Sequence, residues 1–271
     1  MDQTVLTHGI ARSERAEDAL GVQVEELRRD GYTLIDSGLS EPQLAALRAG
    51  LEAVYRTQVE EIGGEDALRR CSDANTARCP LVYDDDFVDV AANPHLLALI
   101  RAMLGENFVL LQQNGLLNRP GNTHYQARWH RDLSYQHWIS TEPIAVNALL
   151  ALDPFTVSTG ATCVVPGSHM HPEFPSDTFV RKHEKSLEAP PGTFLVLDAM
   201  LFHRAGLNVS QKPRRGVNHL IGRPFLGQQF DLPALLEGRY AEDPLLARYL
   251  GYRWGPAPDV TAWRKQRMSA S

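Results

Sequence analysis

Cysteine is scarce in this chain of 271 residues: Cys71, Cys79 and Cys163 are the only three. The count is odd and no Cys-x-x-Cys pair occurs, which argues against a disulfide framework or a thiolate zinc site and fits a reducing compartment, the cytoplasm. No apolar run approaches the ~20 residues that a membrane span requires. The segment Met1 to Leu20 carries charge throughout (Arg12, Glu14, Arg15, Glu17, Asp18) and lacks an apolar h-region, so no secretory signal is expected. A basic excess is absent as well. The formal net charge of −6 disfavours nucleic acid or an anionic membrane surface as partner. There is no internal repeat and no low-complexity tract. What remains, 43% hydrophobic and 22% charged residues, is ordinary for a soluble globular protein long enough to bury a sizeable core.

Patterning divides the chain in two. Residues 1–20 form a polar N-terminal segment, and residues 21–106 read as mainly helical. Gly21–Arg29 is a short helix stopped at Asp30-Gly31, and Tyr32–Ile35 a short strand. Ser40, Pro42 and Gln43 form a helix start with a capping box, followed by Leu44, Leu47, Leu51 and Val54 at helical spacing. Residues 65–92 carry no clear period, and Asp84-Asp85-Asp86 reads as a solvated loop. Asn93 and Pro94 start a helix that Gly105 ends. From 107 to 225 the pattern is β: Phe108–Gln112, Tyr125–His130, Ala145–Leu152, Ala161–Val165, Thr193–Leu197, Leu201–His203 and Arg214–Ile221, separated by turns such as Pro120-Gly121 and Pro166-Gly167. Residues 226–271 form a mixed C-terminal extension with helical stretches at Leu232–Leu236 and Pro244–Leu250. The expected class is mainly β with flanking helices, in one domain over 1–271.

His130-Arg131-Asp132 and the distant His203 are the candidate metal ligands. On a strand, side chains two apart share a face and lie about 7 Å apart. His130 and Asp132 therefore project together while Arg131 points away, and His203 closes the set from another strand. Two imidazoles and one carboxylate suit an Fe(II) centre with one open face, and also zinc. His130-Arg131-Asp132-Leu133 spells the opening of a kinase catalytic loop as well, but His137 stands where that loop needs asparagine, and no Asp-Phe-Gly or glycine-rich loop follows. Arg214 lies eleven residues beyond His203, across turn residues Gly206, Asn208, Ser210 and Pro213. A buried guanidinium there can hold a carboxylate through paired hydrogen bonds. Of Arg214 and Arg215, adjacent on a strand, one faces the surface.

Other groups near the triad read as follows. Trp129, Tyr135, His137 and Trp138 flank it and are candidates for a pocket wall, although Trp129 reads equally as core. His169 is structural, after the Pro166-Gly167 turn. His124, His183 and His219 are ordinary histidines, with His219 facing away from Asn218. Cys163 packs inertly in a strand. Arg204 and Arg223 default to exposure.

Together these residues resemble the phytanoyl-CoA dioxygenase family of Fe(II)/2-oxoglutarate-dependent oxygenases. The likeness rests on His130-x-Asp132, His203 and Arg214, on Asp30-Gly31-Tyr32 with Gly38-Leu39-Ser40, on Gly160-Ala161-Thr162 with Val165-Pro166-Gly167-Ser168-His169, and on Gly192-Thr193 leading through Asp198 to His203. It runs from about residue 24 to about residue 225. The resemblance implies a double-stranded β-helix, or jelly-roll, core. It assigns the metal to His130, Asp132 and His203 and the distal carboxylate of 2-oxoglutarate to Arg214. Alignment on Pro120-Gly121 puts Leu117 where some members carry an asparagine for 2-oxoglutarate, with Asn118 beside it to take that role. Thr162 is a further cosubstrate candidate and Asn218 a substrate candidate by strand parity. Gln113 matches a position that faces substrate in small-solute hydroxylases. Halogenating members replace the carboxylate ligand by a small residue; Asp132 is present here, which favours hydroxylation.

The expected function is therefore an Fe(II)/2-oxoglutarate-dependent dioxygenase. It oxidises a C–H bond of a small-molecule metabolite or biosynthetic intermediate while 2-oxoglutarate and O2 become succinate and CO2. Nucleic-acid and membrane partners are not expected, and a monomer or homodimer is. Two other readings use the same residues: a non-catalytic carboxylate-binding jelly roll, and a zinc-dependent hydrolase.

Overall fold

A computed structural model describes residues 7–10, 18–121, 125–133, 137–257 and 259–269. The N-terminal part supplies a helical layer. Helix α1 (Ala19–Asp30) begins where the Asp18 side chain accepts from Gly21 N and ends at Gly31, whose φ of 83° a side chain rarely tolerates. Strand β1 (Tyr32–Asp36) follows. Helix α2 (Glu41–Glu61) starts at Ser40, whose N–H donates to Gln43 Oε1 at 2.9 Å, and buries Leu44, Leu47, Leu51, Val54 and Tyr55. The stretch that lacked a period resolves into short pieces: α3 (Glu65–Arg70), β2 (Thr76–Arg78), a 3-10 turn (Pro80–Val82) and α4 (Asp86–Ala91). The acidic run is thus only partly loop. Asp86 opens α4, where a carboxylate suits the helix N-terminus, and Asp85 pairs with Arg239 at 2.8 Å. Helix α5 (Pro94–Leu104) is capped by Asn93, which accepts from His95 N and Leu96 N.

The β region builds two facing sheets. The larger contains β1, β2, β3 (Val109–Asn118), β4 (Ala145–Ala151), β7 (Thr193–Asp198) and β9 (Arg214–Gly222), in the order β1-β7-β4-β9-β3-β2, with every pairing antiparallel. The smaller contains β5 (Thr162–Val164), β6 (Lys185–Leu187) and β8 (His203–Arg204), in the order β6-β5-β8. This is the jelly-roll core with flanking helices. The expected strand over Tyr125–His130 does not form: Tyr125–Ala127 is a 3-10 turn, and His130 makes only an isolated bridge to His203. Helix α6 (Asp177–His183) precedes β6, and α7 (Leu232–Leu235), α8 (Pro244–Tyr249) and α9 (Val260–Ser269) make up the described C-terminal extension.

Strand alternation gives the larger sheet two different faces. Val146, Ala148, Leu150, Phe194, Val196, Val217 and Ile221 face the helices and join Leu47, Leu51, Phe87 and Leu99 in the main core. Leu116, Leu149, Leu195 and Leu197 face the smaller sheet and meet Val164 and Leu187. Burial of each such leucine contributes about 1.5–3 kcal/mol. Helix α2 lies so close to β3 that a Cβ on Gly115 would stand 2.0 Å from Leu51 Cδ1, which explains glycine inside this strand. The space between the sheets is where the chemistry-bearing side chains collect. Among the described residues no helix is long and apolar enough to cross a membrane.

Candidate metal centre and cosubstrate pocket

His130 and His203 sit directly opposite one another. The N–H of each donates to the carbonyl of the other at 3.0 Å, and Asp132 N donates to Ala199 O at 3.1 Å. The His-x-Asp segment is therefore irregular chain laid along the approach to His203, not a strand as expected. The outcome for the side chains is the one the strand argument anticipated. One ligand atom from each of His130, Asp132 and His203 lies within 4.8 Å of the others, and His203 Nε2 is 3.7 Å from Asp132 Oδ1.

Both histidines are held in the same tautomer. His130 Nδ1 lies 2.8 Å from Arg128 O and His203 Nδ1 2.9 Å from Leu201 O, in each case the carbonyl two residues back. A carbonyl only accepts, so Nδ1 carries the proton and Nε2 keeps its lone pair, the form that binds metal. Burial, reinforced by the neighbouring His203, pushes the His130 pKa down and favours the neutral ring. Asp132 is fixed from behind: Asn147 Nδ2 donates to its Oδ2 at 2.6 Å.

Arg131, between the two ligands, points away from them into buried backbone. It donates to Met200 O at 2.7 Å, Pro172 O at 2.9 Å, Ser168 O at 3.2 Å and also to His171 O, and its guanidinium lies 3.9 Å over the Phe202 ring. These groups belong to the segment leading to His203 and to the turn around His169. Arg131 thus ties both ligand-bearing segments to the Pro166–Met170 turn.

Residues of both sheets line the cavity at the triad. Leu116, Asn147, Leu149, Leu197, Arg214 and Asn218 come from the larger sheet, Thr162 and Arg204 from the smaller, with Gln126 beside them. Arg214 is 3% exposed, and its Nε and Nη1 are buried with no hydrogen-bond partner. Burial lowers its pKa from 12.5 to about 10. Its guanidinium stacks 4.2 Å over Phe155. The nearby carboxylate, Asp153, is taken by Arg215, whose Nε and Nη2 donate to it at 2.8 and 2.9 Å. So the two adjacent arginines do face opposite ways. One is satisfied at the outer side; the other is a buried cation with donors to spare. A dicarboxylate that chelates the metal at one end and meets Arg214 at the other fits this donor set.

The remaining candidates divide. Thr162 and Asn218 line the cavity. Asn118 stands opposite Arg214 in the β3–β9 register, but its Nδ2 donates to Gly206 O at 3.1 Å and it is not among the lining residues. Gln113 needs correction. It lies on the helix side of β3, where Nε2 donates to Phe87 O at 2.7 Å and contacts His219 Nε2 at 3.0 Å, while Oε1 accepts from Leu81 N at 2.9 Å. Trp138 is 46% exposed and outside the cavity wall. Tyr135 and His124 lie outside the described residues. Arg223 is spent on Pro143 O and Leu104 O. Sequence reasoning missed Asn147; its signal was a single amide inside the otherwise apolar Ala145–Leu152.

Comparison with known proteins gives a consistent picture. The family model described as phytanoyl-CoA dioxygenase (PhyH) matches residues 27–216. An uncharacterised protein of Mycobacterium tuberculosis is 34% identical over 226 residues, 81% of this chain and 82% of its own length. The ectoine dioxygenase of Stutzerimonas stutzeri is 24% identical over 260 residues, 82% of this chain and 85% of its own. Among solved structures, the epimerase SnoN in complex with Fe3+, alpha ketoglutarate and nogalamycin RO shares the fold, with a TM-score of 0.59 at 20% identity over 76% of this chain and 84% of that one.

Proposed function

The chain belongs to the phytanoyl-CoA dioxygenase family and is a non-haem iron, 2-oxoglutarate-dependent dioxygenase; from that premise we propose that it hydroxylates a C–H bond of a small-molecule metabolite or biosynthetic intermediate. In this reading His130, Asp132 and His203 hold the iron, and Arg214 holds the distal carboxylate of 2-oxoglutarate. When bound, the metal and cosubstrate supply the oxidising chemistry, with 2-oxoglutarate and O2 consumed to succinate and CO2. The protein's residues bind and orient. The two Nε2 atoms and one Asp132 oxygen would hold the metal, and three protein ligands would leave it room for the cosubstrate. Arg214 fixes the cosubstrate's far end, and Thr162 contacts it from the smaller sheet. Asn118 steadies the Gly206 turn beside that end. Leu116, Leu149 and Leu197 exclude water, and Asn218 meets the substrate.

The observation that carries this reading is the buried guanidinium of Arg214 with unpaired Nε and Nη1 on the wall of the same cavity as the triad. A zinc hydrolase would use it only for a substrate that itself carries a carboxylate, whereas 2-oxoglutarate always brings one. A carboxylate-binding protein without catalysis would not need two histidines in the ligating tautomer beside a carboxylate. Retention of Asp132 supports hydroxylation over halogenation. The relative named ectoine dioxygenase acts on a small molecule, which supports a substrate of that class. The experiment is a screen of small metabolites with Fe(II), 2-oxoglutarate and O2, read by succinate release and by a mass gain of one oxygen. Succinate coupled to that gain supports hydroxylation. Substrate-dependent succinate with another product mass refutes hydroxylation and keeps the oxygenase. The absence of succinate from metal-replete protein across the screen counts against the small-molecule class.

A further inference from the structure

We propose that Asn147 is a positioning residue that commits one oxygen of Asp132 to a protein hydrogen bond and leaves the other as the single ligating oxygen, a role that rests on reading His130, Asp132 and His203 as the iron ligands. An ionised carboxylate with two free oxygens can chelate a metal through both and take two coordination positions. Here the two oxygens are distinguished. Oδ1 is the atom 3.7 Å from His203 Nε2, whereas Oδ2 receives the Asn147 amide at 2.6 Å. That charge-assisted bond occupies Oδ2 and fixes the plane of the carboxylate.

The orientation of the amide is unambiguous, because an ionised carboxylate only accepts. The consequence is that Asn147 Oδ1 is left buried with no partner. The amide holds this unfavourable arrangement for the sake of one bond to Asp132. It can do so because of where it is anchored. Asn147 is 3% exposed, in the middle of β4, paired on one side with Leu197 and on the other with Leu220. Asp132 itself lies outside every strand. The rigid centre of the larger sheet thus sets the rotamer of a ligand carried on irregular chain.

The test uses the full chain, stripped of metal and titrated anaerobically with Co(II), as wild type, Asn147→Leu and Asn147→Ala. Asn147→Leu keeps the bulk and Asn147→Ala avoids overpacking; circular dichroism establishes that each is folded, and either suffices. The expected result is a 10- to 100-fold loss of Co(II) affinity. With it comes a change in band position and intensity of the Co(II)-saturated visible spectrum, as Asp132 is freed to bind through both oxygens. A purely structural role for Asn147 would leave the saturated spectrum unchanged. Wild-type affinity and spectrum in a folded variant overturn the proposal and leave the metal site standing. If wild type itself binds no Co(II), or binds it equally after Asp132→Ala, the iron-site reading fails first.

Discussion

Arg214→Met separates what this residue costs from what it provides. In the free protein the guanidinium is fully desolvated and two of its nitrogens have no acceptor. A pKa lowered from 12.5 to about 10 corresponds to about 3 kcal/mol of unfavourable burial. The stacked Phe155 returns about 1–2 kcal/mol of this. Methionine fills much of the volume with no charge, so the metal-free variant should be more stable than wild type by about 1–2 kcal/mol in urea unfolding at neutral pH. The same substitution removes the partner of a buried carboxylate. Binding of 2-oxoglutarate should weaken by about 2–5 kcal/mol, at least about thirtyfold, in an anaerobic titration of the Fe(II) form. Lysine in place of methionine should recover only part of the affinity, since a point charge cannot make the paired contact. An Arg214→Met protein that is less stable without ligands and binds 2-oxoglutarate as wild type does would refute both halves of the reasoning.

Three further outcomes follow from buried polar groups. His219 is neutral inside the fold, with Nδ1 donating to Ala148 O at 3.0 Å, and burial lowers its pKa from 6.5 to about 4. The unfolded chain therefore binds this proton first, and about 3 kcal/mol of stability present above pH 6.5 should be lost as pH falls towards 4. Urea midpoints across that range should fall more steeply for wild type than for His219→Gln. Gln113→Leu leaves Leu81 N, Phe87 O and His219 without their partner and should cost at least about 2 kcal/mol in unfolding, while KM for 2-oxoglutarate stays unchanged; an altered KM with intact stability would return Gln113 to the active site. Arg131→Leu strips the donors from four backbone carbonyls and should cost at least about 3 kcal/mol together with metal affinity; Arg131→Lys should rescue only a fraction, read by the same two measurements.

The parts of the fold that sequence could reveal were those with a local signature. Helix α5 is bounded by Asn93 and Gly105, and its buried stripe repeats at helical spacing, so its limits were legible to the residue. Helices α3 and α4 have six residues each, too short for a period to emerge, and they were not. At the site, His130, Asp132, His203 and Arg214 were legible because their order and spacing together resemble one family's pattern, each motif being modest by itself. The conformation that brings the first two together was not. Asp132 N bonds to Ala199 O, a contact across 67 positions of chain that no local pattern encodes. Gln113 was misplaced because a family position is not a face: which way a side chain on β3 points depends on the irregular register between Leu110 and Gln112 and on partners from α4 and β9. Asn147 was overlooked because an amide in an apolar strand has meaning only once Asp132 is seen beside it.

The most direct test is an anaerobic titration of metal-free protein with Fe(II) and then 2-oxoglutarate, followed by visible absorption. Two histidines and one carboxylate that leave a face open to a chelating keto acid predict a weak charge-transfer band at one equivalent of each. The band should be lost in Asp132→Ala and should need far more 2-oxoglutarate in Arg214→Met. No band in metal-replete wild type, or an undiminished band in Asp132→Ala, would contradict the assignment of the site.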